Sequence, residues 1–258
     1  METDLGSALF IRSKQGVYLT NYGKELFPYI KNVQNSEEYL QQAVAQIGGM
    51  EKGVVRIGTF NSACVEWMPS LLRGFEKDYP NIRIDIYQGS YDDVYQWLKD
   101  GIVDLGFLSS TSAGDLSCTP IYQDKIICVA PQGFKTENEG YITIEELKKQ
   151  RFVTQREGCD ADVNHVMNKY DLPGGGGSYI ADDMSAVSLV MGGFGVCLMP
   201  ELVIRNIPFP VDVIPLEVEE KRTIVLAYVR SDVLAPAVQK MQSYILESFQ
   251  KKAEEEEQ

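Results

Sequence analysis

The run GVVRIGTFNSACVEWMPSLLRGFEKDYPNIRIDIYQ, residues 53–88, decides the fold. Its apolar stretch Val54 to Ile57 reads as a buried strand, and the residues from about Ser62 to Tyr79 carry helical spacing. Ile82, Ile84 and Ile86 then alternate as a second strand. Ser90 followed by Asp93 has the form of a capping box, and Val94, Trp97 and Leu98 mark the inner face of the helix that it starts. A further strand, Val103 to Leu108, closes the unit. Strands and helices alternating at this spacing imply an α/β fold with a parallel sheet covered by helices.

Downstream, the same alternation resumes. Ile121 to Ala130 reads as an extended crossover that ends at the turn Pro131-Gln132-Gly133, a candidate hinge. A capping box at Thr143 and Glu146 opens a short helix, followed by strand Phe152 to Gln155 and helix Asp160 to Tyr170. Strand Tyr179 to Ala181, helix Met184 to Met191 with its stop at Gly192-Gly193, and strand Val196 to Met199 continue the series. Strands follow around Val213 and from Ile224 to Tyr228, and the amphipathic helix Val238 to Phe249 lets the chain return to the first unit. The expected organisation is two lobes, 53–130 plus 231–258 and 131–230, with a cleft between them. Clefts of this kind hold small ligands at the carboxyl ends of strands.

Upstream, Thr20 to Gly49 reads as one long helix with Thr20 as N-cap and Gly48-Gly49 as stop. Leu26, Ile30, Val33, Leu40, Val44 and Ile47 form a narrow apolar stripe on a polar background, which predicts a dimerising helix rather than one resting on its own domain.

Composition narrows the function. The 258 residues are 44% hydrophobic and 24% charged, enough for a sizeable core. The formal charge of -13 opposes binding to nucleic acid by this chain alone. No basic and apolar leader opens the chain, and Met184 to Pro200, its longest uncharged stretch, is too short to span a membrane, so a cytoplasmic protein is expected. Five scattered cysteines and one histidine form neither a disulfide framework nor a metal site. No cofactor is implied.

The segment Leu5 to Thr20 (LGSALFIRSKQGVYLT), with Tyr22-Gly23 after it, resembles the end of the winged helix-turn-helix in LysR-type transcriptional regulators. The similarity continues through Arg56-Ile57-Gly58, Phe75 to Pro80, Gly101 to Gly106 and Gly193 to Pro200. It implies a two-lobed effector domain of the type 2 periplasmic-binding-protein kind, residues 20–49 as linker and dimerisation helix, and an assembly of two or four chains. Residues 1–19 then correspond to a remnant of the DNA-binding domain, with Arg12 and Lys14 on its wing, and DNA is expected to be a partner only of a full-length form. The run Gly174 to Ser178, four glycines and a serine, has the composition of a flexible linker and reads as an engineered replacement or a natural loop, the flanking register being almost unchanged.

The resemblance implies Ser62 and Ser90 as effector ligands, both at strand-to-helix junctions where open backbone N–H groups favour an anion. Each also suits a plain helix cap. Thr59, Asn61 and Ser109 join the candidates. In the second lobe Thr154, Gln155 and Glu157 are expected to face the cleft and Phe194 to wall it. Cys159, at a helix N-terminus, is a candidate redox thiol, opposed by the charges of Asp160 and Asp162. His165 has no nucleophile motif around it, so an enzyme is not expected. The expected function is sensing of an anionic metabolite; the alternatives are a partner forming mixed dimers with an intact regulator, or an enzyme on the same fold.

Overall fold

The computed structural model describes residues 2–49, 51–155, 160–174, 180, 182–205, 209–229 and 234–256. A short helix α1 (Glu2–Leu5) and the antiparallel hairpin β1 (Phe10–Ser13) and β2 (Gly16–Leu19) lead into α2 (Asn21–Ile47). The hydroxyl of Thr20 accepts the Gly23 N–H and caps α2 as its sequence predicts. The first α/β unit follows as β3 (Gly53–Thr59), α3 (Asn61–Asp78), β4 (Ile82–Gln88), α4 (Tyr91–Lys99) and β5 (Leu105–Ser109). A long strand β6 (Ser117–Pro131) crosses to the second lobe, which holds α5 (Ile144–Lys148), α6 (Ala161–Lys169), α7 (Asp183–Met191), β7 (Cys197–Pro200), α8 (Glu201–Ile204) and β8 (Val211–Pro215). Strand β9 (Lys221–Tyr228) returns, and α9 (Pro236–Glu256) closes the chain against β3 and α3.

The strands run in the order β4-β3-β5-β9-β6-β7, with β8 also on β6. Only β4, β3 and β5 are parallel; β9 is antiparallel to both β5 and β6, so the sheet is mixed rather than parallel. Strand β6 pairs with β9 up to Lys125 and with β7 and β8 from Ile126 onward. The change of lobe therefore occurs inside the strands, and Pro131 to Gly133 is a turn within the second lobe.

The packing draws the lobe boundaries differently from the expected 130/131 and 230/231. Ile224 to Ala227 lie in the first core with Ile57, Phe75, Phe107 and Met241, because β9 is wedged between β5 and β6. The second lobe has apolar clusters around Ile142 and Leu147 and around Val187 and Val190, to which the far half of β6 contributes. Helix α4 lies close on the sheet: a Cβ at Gly106 would sit 2.8 Å from both Val94 and Leu98. The predicted strand Phe152 to Gln155 is reduced to isolated bridges, Phe152 with Val196 and Gln155 with Ile180. The Gly174 to Ser178 run lies almost wholly outside the described residues. Among these residues no helix is long and apolar enough to cross a membrane.

Helix α2 does rest on the first lobe, but with its polar face. Asn35 Nδ2 donates to the Gly101 carbonyl at 2.8 Å, Tyr39 Oη to Asp104 at 2.9 Å, and Glu38 pairs with Arg56 at 2.7 Å. The predicted stripe points outward: Leu26 and Ile30 are half-buried, whereas Val33, Leu40, Val44 and Ile47 are exposed. Such a row on a helix held in place by polar anchors is the seam that a dimerising helix is expected to offer. The expected solution mass is that of at least two chains, falling to one in the double variant Val33→Glu/Val44→Glu. Light scattering checks both; a monomeric parent chain sinks the seam.

Candidate functional site

The floor of the cleft is built by the register of the two crossover strands. Asp124 of β6 lies opposite Arg222 of β9. A carboxylate and a guanidinium inside apolar strands must be paired, and they are: Arg222 Nε and Nη2 donate to Asp124 Oδ2 at 2.9 and 2.7 Å. The other Asp124 oxygen accepts the Leu202 N–H at 3.0 Å. Arg222 is 3% exposed and reaches into the first lobe, where Nη1 donates to Tyr91 Oη at 2.6 Å and Nη2 to Ser62 Oγ at 3.0 Å. The Phe60 ring lies 5.0 Å from its guanidinium carbon.

Above this floor lies a cavity of about 540 Å³ between the lobes. Phe60, Asn61 and Ser62 line it from α3, and Ser90, Tyr91 and Asp93 from α4. From the second lobe come Gln155, Asp160, Asp182 and Asp183. A volume of this order suits a small metabolite. A wider groove of about 880 Å³ runs beside α2, lined also by Asp104 and Val229.

Four helices aim their N-termini at the cavity. Asp160 caps α6, accepting the N–H groups of Asp162 and Val163; Asp182 caps α7 through the Ser185 N–H; Asp93 forms the capping box of α4 with Ser90. Helix α3 differs: its cap is Phe60, which offers no side-chain acceptor, and its first intrahelical bond is that of Cys64 N–H. The preceding N–H groups and the positive end of the helix dipole are left facing the cleft.

Burial pushes the Asp160 carboxyl up to about 6, against the pull of Arg222 and of the Val163 N–H. The Ser185 N–H holds Asp182 below the usual carboxylate range. Burial raises the Tyr91 phenol and keeps it protonated. Burial also works against the Arg222 charge, but Tyr91, Asp124 and Asp160 outweigh it and the guanidinium stays protonated.

Of the residues singled out in the sequence, Ser62, Asn61, Ser90 and Gln155 come together on the cavity wall. Ser62 lies one residue inside α3 and is not its cap. Asn61 Nδ2 reaches Asp183 Oδ2 across the cleft at 3.5 Å, and Gln155 Nε2 donates to Asp183 Oδ1 at 2.5 Å. Ser90 is used by its capping box, as its spacing predicts. Thr59 is buried, with its hydroxyl on the Phe60 carbonyl, and Ser109 is buried against Thr111. Neither lines the cavity. Thr154 lines a separate small crevice within the second lobe.

Phe194 does not wall the cleft: left-handed glycines on either side turn it outward, and it is 52% exposed. Arg12 and Lys14 are on the exposed β1–β2 hairpin and its turn, apart from the cavity lining. Glu157 and Cys159 lie outside the described residues.

Arg222, Tyr91, Asp124, Asp160 and Asp183 were not among the sequence candidates. An Asp inside the apolar strand Ile121 to Ala130 and an Arg opening the strand that ends at Tyr228 were the available signal, since buried charges require partners.

Ser62 is not placed as a nucleophile. The group bonded to Ser62 Oγ is a guanidinium, which cannot take a proton from it. Among the described residues no group of three His, Cys, Asp or Glu side chains could hold a metal ion.

A family model described as the LysR substrate binding domain matches residues 48–250. The transcriptional dual regulator GltC of Bacillus subtilis is 24% identical over 260 residues, covering 97% of this chain and 86% of its own. Among solved structures, a hydrogen-peroxide-bound cysteine-to-serine mutant of OxyR from Corynebacterium glutamicum superposes with a TM-score of 0.70 at 21% identity, over 98% of this chain and 81% of that one. The effector binding domain of QuiR in complex with shikimate superposes at 0.69 with 19% identity, over 78% of this chain and 98% of that one.

Two outcomes follow from the floor and its neighbour. Asp124→Asn leaves the buried guanidinium uncompensated and is expected to cost about 3–5 kcal/mol in chemical unfolding, whereas Asp124→Leu with Arg222→Met costs less than either single change. A double variant worse than both singles refutes this account of the pair. Asp160 has a folded pKa above its unfolded value, so its contribution to stability is full below pH 4 and is lost as pH rises through about 6. Asp160→Asn keeps the cap and removes that loss. Its melting temperature minus that of the parent is therefore expected to climb between pH 4 and 7; a flat difference contradicts the assignment.

Proposed function

The chain belongs to the LysR substrate-binding domain family, whose matched relatives are transcriptional regulators and not enzymes, and from that premise we propose that it senses a small metabolite held between its lobes. The observation that carries this reading is the cavity at the open N-terminus of α3, where Ser62, Tyr91 and Arg222 converge. An anionic group of the effector sits there, taking the Ser62 hydroxyl and the free N–H groups of the helix. Shikimate, the ligand in the QuiR complex, is a carboxylate of suitable size.

The lobes meet across the cleft through Asn61 to Asp183 and through Thr111 Oγ1 to Asp162 at 2.9 Å. A ligand touching both walls favours the closed arrangement by its differential affinity for it. Helix α2, anchored to the first lobe by Asn35, Tyr39 and Glu38, passes the change on to a second copy of the chain. In this reading the protein works in the cytoplasm as a homo-oligomer.

Native mass spectrometry of the protein as isolated from its host is expected to show one retained small molecule per chain. Ser62→Ala removes one hydroxyl from its contacts and should weaken binding by about 0.5–1.5 kcal/mol for a neutral acceptor and up to about 3 kcal/mol for a carboxylate. Phe60 and not Ser62 caps α3, and Asp124 still neutralises Arg222, so the fold should survive with a lower melting temperature from the one Arg222 N–H left unfilled. Calorimetry with the retained compound, run beside a thermal melt, checks both; unchanged affinity removes Ser62 from the site.

A further inference from the structure

The cavity is lined by donors from the first lobe and mainly by carboxylates from the second, and the imbalance bears on what it binds. Arg222 has only N–H donors, so Ser62 Oγ and Tyr91 Oη must accept from it. Their own hydroxyl hydrogens are thereby turned away, and among the described residues neither meets an acceptor. Both side chains are 5% exposed and both line the cavity. Arg222 itself uses four of its five N–H groups, on Asp124, Tyr91 and Ser62, which leaves one on Nη1. Buried donors without acceptors are costly, and a ligand carboxylate beside Ser62 and Tyr91 would supply acceptors for their hydroxyls.

The facing wall has the opposite character: Asp160 and Asp183 lie on it with Asp182, which is exposed, and Asp93 is exposed on the first-lobe side. Arg222 is the one basic side chain lining the cavity among the described residues, and Asp124 already pairs with it. The N-termini of α4, α6 and α7 are each occupied by an aspartate of the chain, so α3 offers the one open anion position among the four. A ligand that is anionic throughout would meet these carboxylates unbalanced, Asp160 among them close enough to feel Arg222 and Tyr91.

We infer that the effector is a zwitterion, an amino-acid-like metabolite whose carboxylate lies at Ser62, Tyr91 and the start of α3 and whose ammonium group lies between Asp160 and Asp183. The inference rests on the reading that this cavity holds the effector. It adds the cationic half, which the open end of α3 does not require by itself. Both aspartates retain acceptor capacity for it: Asp183 takes one amide N–H on each oxygen, and Asp160 takes its two backbone N–H groups on Oδ1.

The test uses the full chain and defined probes: the proteinogenic L-amino acids and ornithine, their 2-oxo acids, the amines left when the carboxylate is removed, and shikimate. Thermal shift selects binders and calorimetry measures them. At least one amino acid is expected to bind, and loss of either charged group is expected to weaken it by about tenfold or more. Asp183→Asn and Asp160→Asn, the latter keeping its helix cap, should each weaken the amino acid by about tenfold while changing its 2-oxo acid by less than about twofold. A merely structural role would weaken both probes alike and overturn the inference. Tighter binding of shikimate or of a 2-oxo acid than of the matching amino acid also overturns it, and leaves the sensor reading standing. If no probe binds, the zwitterion is refuted; the sensor reading then stands or falls on whether native mass spectrometry finds a retained compound.

Discussion

The structure depends on one buried ion pair. Arg222 and Asp124 face each other on the two antiparallel strands that carry the chain between lobes, close to where β6 exchanges β9 for β7 and β8 as its partners. A guanidinium at this depth must be neutralised and have its donors filled, or it costs several kcal/mol. That requirement ties Asp124 to β9, the Leu202 N–H to Asp124, and the phenol of Tyr91 and hydroxyl of Ser62 to Arg222. The first turns of α3 and α4 are thus drawn to the same point, and the cleft floor is set with them.

The second organising feature is the convergence of helix N-termini. Parallel strands β3 and β4 deliver their carboxyl ends to one edge, so α3 and α4 begin there, and α6 and α7 of the second lobe begin opposite them. Each N-terminus carries partial positive charge, and the chain neutralises three of them with its own aspartates. The one left open, at α3, stands beside Arg222. The polarity of the cavity follows from this difference in capping rather than from the overall charge of the protein.

Helix α2 shows how one element serves two partners. Its polar face is pinned to the first lobe at Gly101, Asp104 and Arg56, next to β5 and within β3. Its aliphatic face stays open along Val33, Leu40, Val44 and Ile47. The hydrogen bonds thus couple the position of this helix to the first lobe while its aliphatic side stays uncovered.

Much of this was legible in the sequence, because it is local. Strand β3 and helix α3 follow from hydrophobic spacing; the Thr20 cap and the boxes at Ser90 and Thr143 follow from side chains bonding backbone within three residues. Ser62 was identifiable since a strand-to-helix junction is also local. What spacing could not supply was pairing over long separations. That β9 lies between β5 and β6, that residues 224–227 belong to the first core, and that Arg222 meets Ser62 and Tyr91 are products of antiparallel register. Phe194 was misplaced because two left-handed glycines turn it outward, and the orientation of the α2 stripe was open because both faces of the helix could have met the lobe. Local chemistry in the sequence determined the elements and their caps; tertiary structure alone decided which charges face one another, since that depends on residues a hundred or more positions apart reaching the same few ångströms.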